Sequence, residues 1–224
     1  MKNRYSKRSH ISESKFRWLL RLFALDLNGV QIAALTGLNK NTVLRILALA
    51  RARMAQMAER ESVFPTGEIE LDESYFGARR VKGKGGRGAS GKSAVFGMKK
   101  RGDKVYTQVV RNCSAATPAP IIRGLVPDGA TVYPDEWKAY DGLVNVGYKK
   151  RYRVKHSEDV FANGKAHVNG IENFWGVAKT RLVKLRGVRA GTLCIRLKET
   201  EWRFNHRQEN LYRLLSKEFR ENPL

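Results

Sequence analysis

The chain has 224 residues, 42% of them hydrophobic, and sets 43 Lys and Arg against 21 Asp and Glu for a net charge of +22. That length accommodates one catalytic core and a small accessory module, and the charge points to a polyanionic partner, nucleic acid before a membrane surface. No apolar run nears the roughly 20 residues of a bilayer span, MKNRYSKRSHIS has no apolar signal core, and Cys113 and Cys194 form no CxxC pair, which argues against a disulfide framework or a zinc ribbon; a cytoplasmic, nucleoid-associated protein is expected.

The segment from Ser12 to Met57 carries apolar residues at helical spacing and no proline. It predicts a first helix from about Glu13 to Leu27, ended by Asn28-Gly29, with Phe16, Leu19, Leu20, Phe23 and Leu27 inward. A short helix from Val30 to Thr36, a turn at Gly37 and a third helix starting near Asn39 follow, with Val43, Ile46 and Leu47 inward. This is helix-turn-helix spacing. A third helix lying in a major groove presents Lys40, Asn41, Thr42 and Arg45 to phosphates and base edges; a three-helix dimerisation bundle is the alternative.

Pro65-Thr66-Gly67 breaks the helical pattern, dividing a DNA-binding domain (1–62) from a second domain (63–224). There, GEIELDESYFG, SAVFGMKKR and DKVYTQVVR read as an antiparallel three-stranded meander with a turn at Gly102-Asp103. A short helix in TPAPIIRGLVPDG, a strand in ATVYP and a helix from DEWKAY follow. YKKRYRVKHS reads as a further strand, whose alternation puts Lys149, Arg151, Arg153 and Lys155 on one face, suited to a DNA backbone. HVNGIENFWGVAKTRLVKLRG reads as a long helix with Ile171, Phe174, Trp175 and Ala178 on one side, and Thr192 to Ser216 as a last helix. Trp137, Trp175 and Trp202 read as core anchors.

GRGASGKS (86–93) fits the phosphate-loop template G-x-x-x-x-G-K-[ST], yet a basic run precedes it and a strand, rather than a helix, is predicted after it. No nucleoside triphosphate is therefore expected as a partner. The stretch reads as a basic hairpin connection, with Lys82, Lys84, Arg87 and Lys92 as contacts to DNA phosphates.

Acids are scarce, so those beside apolar strand ends stand out: Asp72 in IELD, Asp135 after TVYP, and Glu172 in HVNGIENFW. Converging carboxylates repel one another unless a hard divalent cation lies between them, and two Mg²⁺ ions roughly 3.5 to 4 Å apart are suited to in-line phosphoryl displacement. Glu70 and Glu73 compete with Asp72, as do Glu136 and Asp141 with Asp135.

The blocks IELDESYFGARR, YPDEWKAYDGL and HVNGIENFWGVAKTRL resemble the catalytic blocks of ISXO-like insertion-sequence transposases, a branch of the DDE-type transposases, over residues 66 to 207. The resemblance implies an α/β (α+β) ribonuclease-H-like catalytic domain beside the all-α helix-turn-helix domain. It implies Asp72, Asp135 and Glu172 as ligands of two Mg²⁺ ions, for which Mn²⁺ can substitute; 36 residues separate the last two acids. It also implies Lys179, seven residues after Glu172 and on the same helix face, as a catalytic basic residue at DNA phosphate. Some relatives have Asn or His in place of the third acid, so Asn169 competes with Glu172; His167 and Asn169 are further candidates for contacting DNA or orienting Glu172.

The implied activity is binding of terminal inverted repeats, metal-dependent strand cleavage, and strand transfer into target double-stranded DNA by a homodimer or larger assembly. The alternatives are a metal-dependent nuclease of the same fold and a catalytically inactive helix-turn-helix regulator.

Overall fold

A computed structural model describes residues 3–7, 9–62, 66–77, 92–111, 117–127, 130–134, 150–151, 169–183 and 190–224. The chain divides into two compact units, one formed by Met1–Gln56 with His206–Leu224, the other by Met57–Asn205.

The first unit is helical. Helix α1 (Glu13–Ala24) starts at Ser12, whose side chain accepts from Lys15 N. It ends earlier than the sequence predicts: the left-handed residue is Asp26, at φ 63°, and Asn28-Gly29 begins the next helix instead of ending this one. Asn28 accepts from the amides of Val30 and Gln31 while the Gln31 side chain accepts from Asn28 N, a reciprocal cap that starts α2 (Gly29–Thr36). Gly37 then turns the chain at φ 65°. Asn39 accepts from Asn41 N at 2.8 Å as α3 (Lys40–Arg60) begins, with Val43, Ile46 and Leu47 buried as expected.

The predicted last helix is two helices, α6 (Ala190–Asn205) and α7 (Leu211–Glu221). Asn205 turns its amide onto β3 (Val105–Val110), accepting from Val105 N at 2.8 Å and donating to Val105 O at 2.9 Å. Asn210 then accepts from Arg213 N at 3.0 Å and opens α7. Helix α7 belongs to the first unit: Phe219 meets Phe16 edge-on at 6.3 Å, Arg53 bonds Glu218 at 3.1 Å, and Arg21 lies 5.0 Å over the Tyr212 ring.

In the second unit, β1 (Glu68–Phe76), β2 (Ser93–Lys100) and β3 form the expected antiparallel meander. β4 (Thr131–Pro134) pairs parallel to β1, and β5 (Lys150–Arg151) parallel to β4. Among the described residues the sheet order is β3-β2-β1-β4-β5, which makes β1 central. On one face Ile69, Leu71, Phe96, Met98 and Val132 pack with Ile122 and Val126 around α4 (Pro118–Leu125). On the other, Val95, Val105 and Tyr133 pack with Ile171, Phe174, Trp175 and Ala178 of α5 (Asn169–Val183) and with Leu197 and Phe204 of α6. No helix among the described residues is long and apolar enough to cross a membrane.

Buried charge in α6 is satisfied within this unit. Glu199 receives Arg181 at 2.7 Å and Arg203 at 3.2 Å. Glu201 receives Thr107 N at 2.7 Å, Thr107 Oγ1 at 2.6 Å and Lys198 at 3.1 Å.

Candidate active site

Alternation along β1 puts Glu68, Glu70 and Asp72 on the face covered by α5. Their surroundings separate them. Glu68 accepts from Tyr133 Oη at 2.7 Å and from Arg101 Nη1 at 3.1 Å. Glu70 is 1% exposed and is held twice: Oε1 by Arg101 Nε at 3.2 Å, Oε2 by the Ile171 amide at 2.8 Å. The first amides of a helix lack intrahelical partners and carry partial positive charge, so Glu70 satisfies the start of α5. The Arg101 guanidinium, 3.8 Å over the Tyr133 ring, links both glutamates to β4.

Asp72 lies deeper along the strand. Its Oδ1 accepts from Glu73 N at 2.7 Å and its Oδ2 from the indole N–H of Trp175 at 2.9 Å. Across the β1–β2 pair it faces Gly97. A Cβ there would stand 2.4 Å from Trp175 Cζ2, so the absence of a side chain at Gly97 gives the ring its seat on the sheet. Phe174 at 5.1 Å and Phe76 at 6.0 Å pack against the same ring.

Helix α5 carries Asn169, Glu172 and Lys179, all exposed. Glu172 is one turn before Trp175 and adjacent to Ile171, so the two bonds to Glu70 and Asp72 bracket its place on the helix. The structure therefore brings the helix turn bearing Glu172 against the acidic face of β1. Pro134, paired with Leu71, is the last described residue of β4. Asp135, the next residue in the chain, lies outside the described residues, as do Lys82, Lys84, Arg87, Arg153, Lys155 and His167. Among the described residues no three His, Cys, Asp or Glu converge as a metal site on their own. Lys92 is exposed just before β2; Arg151 is described only through its backbone pairing with Val132. On α3, Lys40, Asn41 and Arg45 are exposed and Thr42 is half-buried.

Residues 66–205 match the family model of the ISXO2-like transposase domain. The chain belongs to the ISXO2-like transposase family. The match to this transposase family takes in the five described strands and α4 to α6. The chain is also similar to an uncharacterised transposase-like protein of Haemophilus influenzae, 43% identical over 103 residues that make up 46% of this chain and 82% of the relative.

Sequence reasoning missed Arg101, Gly97 and the polar role of Trp175. A glycine inside the apolar strand SAVFGMKK was the available signal, because strand interiors admit glycine chiefly where another group approaches closely.

Proposed function

We propose that this member of the transposase family is a DDE-type enzyme with a ribonuclease-H-like catalytic unit and a helix-turn-helix unit that recognises terminal inverted repeats. The observation that carries the reading is the placement of Asp72 on central β1, with antiparallel β2 on one side, parallel β4 leading to Asp135 on the other, and α5 bearing Glu172 packed on its face.

The donors are carboxylate oxygens, which suit Mg²⁺ or Mn²⁺ and do not suit softer ions. Asp72, which accepts from the Glu73 amide and the Trp175 indole, is the β1 carboxylate assigned to this role. Glu70 is committed to Arg101 and the α5 amide. Asp72, Asp135 and Glu172 would hold the ions. Bound there, two divalent ions supply Lewis-acid stabilisation of the scissile phosphate and an activated water.

Lys179, two turns along α5 from Glu172, binds a DNA phosphate beside the scissile bond. Lys40, Asn41, Thr42 and Arg45 meet phosphates and base edges of the terminal repeat, Lys40 as a phosphate contact, while Lys82, Lys84, Arg87, Lys92, Arg151, Arg153, Lys155, His167 and Asn169 contact DNA around the catalytic unit. Cleavage breaks a phosphodiester P–O bond by attack of water and leaves a 3′-hydroxyl, which then attacks a target phosphodiester. Two ends are held by a dimer or larger assembly.

The test incubates full-length protein with labelled DNA taken from the flanks of its gene, in Mg²⁺ or Mn²⁺, beside Asp72→Ala. Nicking and joining by the wild type, lost in Asp72→Ala with DNA binding retained, supports the reading. Binding without either reaction refutes it, and nicking without joining favours a nuclease.

A further inference from the structure

Two hydrogen bonds tie β1 to α5, and each depends on a glycine. The Glu70 bond to Ile171 N is flanked by Gly170, where a Cβ would stand 2.8 Å from Glu70 Oε2. The Asp72 bond to Trp175 Nε1 is reached across Gly97, where a Cβ would stand 2.4 Å from the ring. Packing alone does not require an indole at position 175, since a phenylalanine also fills an apolar face. Trp175 is 4% exposed, and its buried N–H has found its acceptor on the one β1 carboxylate proposed as a metal ligand.

We propose that Trp175 is a positioning residue: seated on Gly97, its indole N–H fixes the carboxylate plane of Asp72 for a divalent cation. The inference rests on the metal-dependent reading above. Two donors from different directions, the Glu73 amide and the indole, hold the two oxygens of Asp72. A ligand oriented in this way binds without first losing rotational freedom, and removal of such outer partners typically costs about 10- to 100-fold in metal affinity. The glycine is part of the device, because any side chain at position 97 lifts the ring from the strand that carries the partner of Asp72.

The experiment titrates Mn²⁺ into full-length wild type, Trp175→Phe, Gly97→Ala and Asp72→Asn, reading bound ion by electron paramagnetic resonance. Cleavage is measured across a range of Mg²⁺ concentrations, and DNA binding is measured separately. Trp175→Phe and Gly97→Ala are expected to bind the flanking DNA as wild type does and to lose about 10-fold in Mn²⁺ affinity. Their cleavage should fall at limiting Mg²⁺ and recover as Mg²⁺ is raised, which lost packing alone would not produce.

Wild-type Mn²⁺ affinity in both variants, with affinity lost in Asp72→Asn, overturns the positioning role and leaves the metal site standing. Unchanged affinity in Asp72→Asn overturns the metal site and the positioning role with it. Should neither variant fold, the Trp175 indole ¹H–¹⁵N resonance of the wild type decides. A shift on Mg²⁺ addition and in Asp72→Asn supports the role; a resonance indifferent to both overturns it.

Discussion

Glu201 makes the stability of the sheet-containing unit depend on pH in an unusual direction. Burial pushes its carboxyl up from 4.5 to about 7, against the opposing pull of Lys198 and the Thr107 donors. Between those values the folded chain keeps a proton that the unfolded chain has released, so stability falls as pH rises from 4.5 and levels off above about 7. At about 1.4 kcal/mol per pH unit, the loss across the window is about 3 kcal/mol. Glu201→Gln abolishes this titration. The amide oxygen still accepts from Thr107, but its NH₂ then faces the Lys198 ammonium, donor against donor, at a constant cost of about 1 to 3 kcal/mol. Because the chain has two compact units, global melting would blend two transitions. Native-state hydrogen exchange at the Thr107 amide, bonded directly to Glu201 at 2.7 Å, isolates the effect. The opening free energy of wild type minus that of Glu201→Gln should fall by about 3 kcal/mol from pH 4.5 to 7.5. A difference that stays flat or rises with pH would mean that Lys198 and Thr107 hold Glu201 ionised throughout, and would refute the reasoning.

Gly37→Ala forces an alanine into φ 65° with open space around it, so backbone strain alone should destabilise the helical unit by about 1 kcal/mol, read by urea unfolding. Asn28→Ala removes the reciprocal cap of α2 and should cost about 1 kcal/mol in the same assay. Phe219→Ala opens the core around Phe16 and should cost about 3 to 5 kcal/mol, detected as early melting of the helical unit with the Thr107 amide still protected. Lys40→Ala should weaken binding to flanking DNA across sequences and lower the salt slope by about one, measured by anisotropy at several ionic strengths.

Much of the sheet was legible because its signals are local. The alternation in EIELDESY, the Gly102-Asp103 turn and the apolar stripe of α5 each lie within one element, and the family resemblance rested on the same blocks. The helix boundaries at Asn28-Gly29 were ambiguous, since asparagine and glycine serve at both ends of helices; only the return bond from Gln31 decides for a start. The break between α6 and α7 was hidden because no proline or glycine marks it, and the inward turn of Asn205 depends on a β3 partner 100 residues away in sequence. The choice among Glu70, Asp72 and Glu73 was likewise undecidable from spacing. Arg101 and the α5 amide hold Glu70 through contacts that no local pattern encodes.

The helical unit is built from both ends of the chain: Leu224 N bonds Tyr5 O at 3.0 Å, Lys7 N bonds Leu224 O at 2.7 Å, and Phe219 completes the ring cluster at Phe16. During synthesis, the first three helices therefore leave the ribosome with an apolar face that stays uncovered until the described strands of the other unit have been made. The N-terminal helices and the sheet mature in the reverse of their order in the gene. A chain stopped anywhere between Met57 and Asn205 carries those helices without Leu215 and Phe219, so an interrupted translation product lacks part of the core on which the helical unit is built.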